Sequence, residues 1–218
     1  MSDEHDLDAG DFAAWLRQVR DAIRGTRDAV VPCGECVACC TSSQFVHIGP
    51  DERETLARIP AALLFPAPGM PRGHVLLGYD ERGHCPMLIE GQCSIYAQRP
   101  RTCRSYDCRV FPAADVVDDD ATKADIARQA RRWQFAHPSA ADRAEHEAVR
   151  AAAAYLGTHP TILVDAGVPA SAIQIAVVAI AIHQHFLGAG SRPDATTVAA
   201  AVGTWATKGL RKNSPSRT

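Results

Sequence analysis

The chain has 218 residues, 46% of them hydrophobic and 22% charged, with a formal net charge of −2. That is the balance of an ordinary soluble protein, and it excludes a global bias toward nucleic acid or membrane. The first residues, MSDEHDLDAGDF, are acidic and lack the basic region and apolar core of a secretory signal, so the expected compartment is the cytoplasm. Heavy use of Ala, Arg and Asp points to a GC-rich bacterial genome.

Residues 1–11 read as an acidic, frayed lead. From Phe12 the apolar positions Phe12, Trp15, Leu16, Val19 and Ile23 recur at three or four, which predicts an N-terminal helix within 12–27 that stops near Gly25. FVHI reads as a short strand. GPDERETLARI carries a helix-start signature, with Pro50 near the first turn and acids placed at the positive end of the dipole. PAPGMPRG is a loop and HVLLGYD a strand. CPMLIEGQCSIY reads as a hairpin turning at Glu90-Gly91, which would set Cys85 and Cys93 at matching heights. RPRTCRSYDCRVFP is too rich in proline and arginine to assign.

The acidic run DVVDDD marks a boundary. Beyond it, ATKADIARQARRWQFA and SAADRAEHEAVRAAAAYL predict two helices separated by His137-Pro138. VPASAIQIAVVAIAIHQHFL predicts a buried third and DATTVAAAVGTWATKGL a fourth. The apolar run Ile173–Ile182 has about half the ~20 residues of a membrane span. The tail 211–218 should be disordered. The expected fold is mainly α with a small β-hairpin: an irregular, metal-stabilised Cys-rich domain over 28–113 beside an α-helical region over 118–210.

Eight cysteines dominate the chemistry: Cys33, Cys36, Cys39, Cys40, Cys85, Cys93, Cys103 and Cys108. In a secreted chain they would read as a disulfide framework, whereas in a reducing compartment the same density reads as metal ligation. Thiolates are soft ligands for zinc and for iron–sulfur iron. The spacings Cys33-x2-Cys36 and Cys36-x2-Cys39 let a short loop wrap one ion with two sulfurs. Cys33, Cys36 and Cys39 also match the first three positions of a bacterial ferredoxin run, but Cys40 breaks the fourth. Spacing therefore admits zinc or an iron–sulfur cluster and slightly favours zinc.

CGECVACC from Cys33, CPML from Cys85 and CSIYAQRPRTCRSYDC from Cys93 to Cys108 together resemble the YkgJ-like cysteine-cluster family of the CxxCxxCC type, described as zinc- or iron-chelating. The resemblance covers roughly residues 30 to 112, with Met87 where the family usually has Phe. It implies a metal held by the cysteines. Flagellin lysine N-methylases carry a similar cluster, so it also admits enzymes among the relatives.

Arg99, Arg101, Arg104 and Arg109 surround the last two cysteines. Four thiolates around one zinc carry a net charge near −2, which guanidinium groups offset. Arg99, Arg104 and Tyr106 are therefore the expected supporting residues. His84 and His47 are minor ligand candidates. His183 and His185 face different sides of a helix and make poor metal partners, and Tyr96 and Tyr106 read as packing anchors. No nucleotide-binding or hydrolase fingerprint is present.

The sequence thus predicts a metal-binding protein whose partners are a metal ion and, secondarily, another protein, with neither nucleic acid nor membrane. The alternative is an iron or iron–sulfur enzyme with an arginine-lined anionic site. It would keep one coordination position open, with Cys40 as the non-ligand.

Overall fold

The computed structural model describes residues 6–29, 31, 35–188 and 193–212. It is mainly helical with short β elements. Two compact units divide the chain: Met1–Thr26, Cys108–Asp118 and Ala130–Thr218 form one, Arg27–Asp107 and Asp119–Gln129 the other. None of the described helices is long and apolar enough to cross a membrane.

In the first unit, the helix Phe12–Ile23 buries Phe12, Trp15, Leu16, Val19 and Ala22, the stripe its spacing predicts. Gly25 follows at φ 66°, a conformation that ends a helix cheaply only at glycine. The helix Ala140–Thr158 starts at a capping box. The Ser139 hydroxyl accepts from the Asp142 N–H, and the Asp142 carboxylate accepts from the Ser139 N–H. Asp142 also accepts the N–H of Ala13 at 3.1 Å, tying this helix to the first one. The helix Ala172–Ile182 packs against Phe12–Ile23, Val110–Ala114, Ala140–Thr158 and Ala195–Lys212, as its all-round apolarity predicts.

Other expectations fail here. The helix expected over 121–136 is a 3₁₀ turn, Ala121–Lys123, followed by the α-helix Ala124–Arg131, and Trp133–Ala136 is a strand. Trp133 is buried and Phe135 partly so, with exposed neighbours between, so the period is two and not 3.6. Its partner is Leu7–Asp11, inside the segment read as a frayed lead. The two strands run parallel, Leu7 opposite Trp133, with an irregularity between Asp8 and Gly10. Phe135 lies 4.7 Å from the Trp15 ring and 5.2 Å from Phe12, so aromatic packing fixes the pair. The short helix Thr161–Asp165 was not anticipated. Arg211 and Lys212 close the last helix, and the rest of the predicted tail lies outside the described residues.

The second unit is built on a three-stranded antiparallel sheet. Leu64–Pro66 and Val46–Ile48 flank Val75–Leu77, with Ile48 opposite Val75 and Pro66 opposite Val75 on the other side. One face covers a small core of Val46, Ile48, Ile59, Leu77, Met87 and Ile95, against which Cys85 and Cys93 pack. The unassigned arginine-rich stretch forms the helix Arg101–Ser105 in this unit and the helix Val110–Ala114 in the first.

Candidate metal centre

Four segments of the second unit carry cysteines toward one another. The octet 33–40 ends in a 3₁₀ turn, Ala38–Thr41. The Ser42 hydroxyl donates to Ala38 O at 2.6 Å and the Thr41 hydroxyl to the Asp125 carboxylate at 2.8 Å. The turn is joined to the following cysteine loop by two backbone bonds, Cys85 N–H to Cys40 O at 2.7 Å and Ser43 N–H to Gly83 O at 2.9 Å. Gly83 has φ 81°, and a Cβ there would stand 2.3 Å from Ser43 Oγ, so both backbone shape and close approach require glycine.

The predicted hairpin forms with Leu88–Ile89 paired to Gln92–Cys93. Glu90 and Gly91 both take positive φ, 50° and 77°, the signature of a two-residue type I′ turn. The heights differ from expectation, however. Leu88, not Cys85, stands opposite Cys93, because Cys85 lies in a turn closed by Leu88 N–H to Cys85 O at 2.9 Å. That turn has a chemical consequence: the nearby backbone amides of Met87 and Leu88 lower the Cys85 thiol, against a larger upward push from burial.

Cys103 sits on the helix Arg101–Ser105. Its residue surface is exposed, yet its sulfur is hemmed in. Desolvation first, then the neighbouring Cys40, Cys85 and Cys93, push the thiol up to about 12, with Arg99 opposing. Cys85 is likewise raised in part by Cys93. The thiols of Cys40, Cys85 and Cys93 thus lie close enough to Cys103 to act on its charge. Among the described residues, no three His, Cys, Asp or Glu side chains stand close enough together to hold an ion. The donor chemistry fits a thiophilic metal, with soft sulfurs, backbone amides beside one of them and a guanidinium near another.

Cys36 is half-buried and Cys39 exposed on the octet, and Cys33 lies outside the described residues. Cys108 belongs to the first unit. It is 7% exposed and its sulfur accepts the Trp133 indole N–H at 3.3 Å. No disulfide joins the described cysteines to one another.

Of the arginines, Arg99 acts on Cys103. It is held with its guanidinium 4.1 Å from the Tyr96 ring centroid and Nη1–H donating to Tyr96 O. Tyr96 is 59% exposed and so is a platform for Arg99, not the packing anchor expected. Arg104 pairs with Asp28 at 3.4 Å. Arg101 pairs with Asp51, and Arg109 is buried in the first unit, where Nη1 donates to Ala9 O. Tyr106 is half-buried directly after the Cys103 helix. His84 packs its backbone, donating N–H to the Asp80 carboxylate. His183 is fully buried, with Nδ1 bonded to Ile180 O.

Sequence reading missed Glu52. It is 8% exposed, accepting the N–H of Gly49 through Oε1 and that of Arg101 through Oε2. A carboxylate from a distant loop thus caps the helix that carries Cys103. The only sequence signal was an acid in the first turn of a predicted helix, which pointed to a dipole role.

Residues 32–125 match the protein family named CxxCxxCC, described as a "Putative zinc- or iron-chelating domain". No curated protein and no solved structure gives a significant match to the chain.

Proposed function

Taking residues 32–125 as a CxxCxxCC domain, we propose that Cys40, Cys85, Cys93 and Cys103 bind one zinc ion in a closed four-sulfur shell that staples the second unit and serves metal handling. The observation that carries this is that three sulfurs, those of Cys40, Cys85 and Cys93, converge closely enough on Cys103 to act on its thiol. Zinc would supply the positive charge that the thiolates lack, and binding it releases their protons. Arg99 offsets the remaining negative charge, and the backbone amides of Met87 and Leu88 favour the Cys85 thiolate. The apolar core of this unit is small, and a structural zinc contributes on the order of 10 kcal/mol to such folds. Cys108 acts in this reading as a packed thiol beneath Trp133.

One observation favours a second reading. Cys33, Cys36 and Cys39, which the four-sulfur shell does not use, keep the C-x2-C-x2-C spacing of an iron–sulfur loop in the sequence. Three sulfurs leave an open position, as a catalytic centre requires.

The test is anaerobic purification of the wild type, Cys103→Ser and Cys108→Ser, with elemental analysis, visible spectra and chelator challenge. Colourless protein holding zinc, lost in Cys103→Ser and kept in Cys108→Ser, is the expected result. Iron with acid-labile sulfide and a visible charge-transfer band would replace it with the second reading. Full metal content in Cys103→Ser would refute the four-sulfur shell.

A further inference from the structure

The face of the three-stranded sheet turned away from the core is aromatic and exposed. His47, Leu76 and Phe65 stand side by side in register across the three strands. Their strand neighbours Val46, Ile48, Leu77, Leu64 and Val75 pack into the core, so alternation aims all three outward. Phe45, two residues before His47, falls on the same face. Its ring meets Phe65 edge-on, centroids 5.9 Å apart at 88°, and Tyr79 at 4.9 Å and 49°. A Cβ at Gly78 would stand 3.3 Å from the Phe65 ring and 3.8 Å from that of Phe45, so the two rings close over bare backbone. Phe45 is 56% exposed, Tyr79 40% and Phe65 39%.

We propose that this face docks a proline-rich segment of a partner protein in the polyproline II conformation. Such docking does not depend on the thiol centre. A strand cannot add to the sheet instead, because both edges are closed. On Val46–Ile48 the carbonyl of His47 accepts the Thr102 hydroxyl at 2.7 Å. On Leu64–Pro66 the Leu64 N–H is taken by Ala61 O, and Pro66 has none. At about 200 Å² per aromatic residue, the three rings expose on the order of 300 Å², well under the roughly 800 Å² per partner of a stable complex. That area suits a short linear segment and not a second copy of the chain. The face is also uncharged. Burial first, then His74, hold the His47 imidazole below its ordinary value, and Asp80, next to Tyr79, is paired with Arg82. A neutral segment matches it and a charged one does not.

The rings are inclined to one another, so they form notches and not a flat platform. So shallow a contact favours a ligand that is ordered before it binds. Polyproline II is such a ligand: its rings fill notches between aromatics, and it loses little entropy on docking. Its backbone carbonyls have no internal partners and need donors. The Tyr79 hydroxyl makes no hydrogen bond to the described residues. His47 Nε2 and His74 Nδ1 share one N–H across 2.9 Å. With both rings neutral, whichever ring supplies that proton, the other keeps its own N–H on its outer nitrogen. The face therefore offers a hydroxyl and one imidazole N–H beside the aromatic ridge.

The test adds a capped oligoproline peptide to the full chain and follows side-chain signals by NMR. Shifts confined to Phe45, Phe65, Tyr79, Leu76 and the two imidazoles are expected, and a glycine-serine peptide of the same length should cause none. Phe45→Ser with Phe65→Ser should weaken oligoproline binding about tenfold or more. Tyr79→Phe keeps every ring and should weaken it about two- to tenfold, which decides the matter even if the double variant misfolds. No shift with oligoproline, equal shifts from both peptides, or unchanged affinity in the variants overturns the proposal. Self-association of the wild type also overturns it, if the ring signals move with protein concentration and stop moving in the double variant, because a second copy would then be the occupant.

Discussion

Acid should unload the helical unit through one buried imidazole. His146 is 7% exposed, stacked on Phe12 at 4.1 Å and 14°, with Nδ1 2.7 Å from His137 Nε2. Burial first, then the charges of Arg150 and His137, lower its pKa from 6.5 to about 4. The folded value lies below the unfolded one, so between them the unfolded chain binds the extra proton. Stability from this group is therefore complete above pH 6.5, falls as the pH drops toward 4, and changes no further below that. At about 1.4 kcal/mol per pH unit across this interval, the loss is up to about 3 kcal/mol. The assay is urea unfolding followed by tryptophan fluorescence. Trp15, Trp133 and Trp205 all lie in this unit, so the signal reports on it alone. His183, also lowered by burial, adds to the slope in the same direction. His146→Phe keeps a ring against Phe12 and removes the titrating group, so its stability should decline less between pH 6.5 and 4. A wild type with flat stability across that window, or a variant with an undiminished slope, would refute the reasoning.

Two substitutions probe the supports of the cysteine centre. Gly83→Ala must hold a Cβ at φ 81° beside Ser43 Oγ. It should cost about 1–2 kcal/mol from the backbone alone, read as a lower urea midpoint and faster loss of metal to chelator. Unchanged values would mean the 40–43 and 83–85 segments are not in register as described. Glu52→Gln turns an acceptor into a donor at either Gly49 N–H or Arg101 N–H. It should cost about 1–3 kcal/mol and loosen the helix bearing Cys103. Hydrogen exchange at Arg101 and Thr102 checks this, and protection equal to wild type would count against it.

The features legible in the sequence are those a few neighbouring residues decide. Phe12, Trp15, Leu16 and Val19 declare their helix by spacing, Glu90-Gly91 its turn, and Gly25 the end of the first helix. The features that were not legible depend on distant partners. LDAGD has little strand character of its own and becomes a strand because Trp133–Ala136 lies alongside it, with Phe135 seated on Phe12 and Trp15. Cys108 follows Cys103 by five residues, yet falls in the other unit. Spacing counts thiols along the chain, whereas grouping depends on which core each turn of chain enters.

CPML shows how local chemistry can carry more than its spacing. Proline at 86 has no N–H and fixes its own φ, so the next amides near the Cys85 thiol belong to Met87 and Leu88, the two that lower it. The carbonyl of Cys85 meanwhile accepts from Leu88 and that of Met87 from Ser94, which closes the turn and starts the hairpin leading to Cys93. Met87 then drops its side chain into the small core. One tetrapeptide thus orients a sulfur, begins a hairpin and anchors both to the sheet. Its proline and its two apolar residues, taken together, distinguish the surroundings of Cys85 from those of the other cysteines, which a bare count of eight does not.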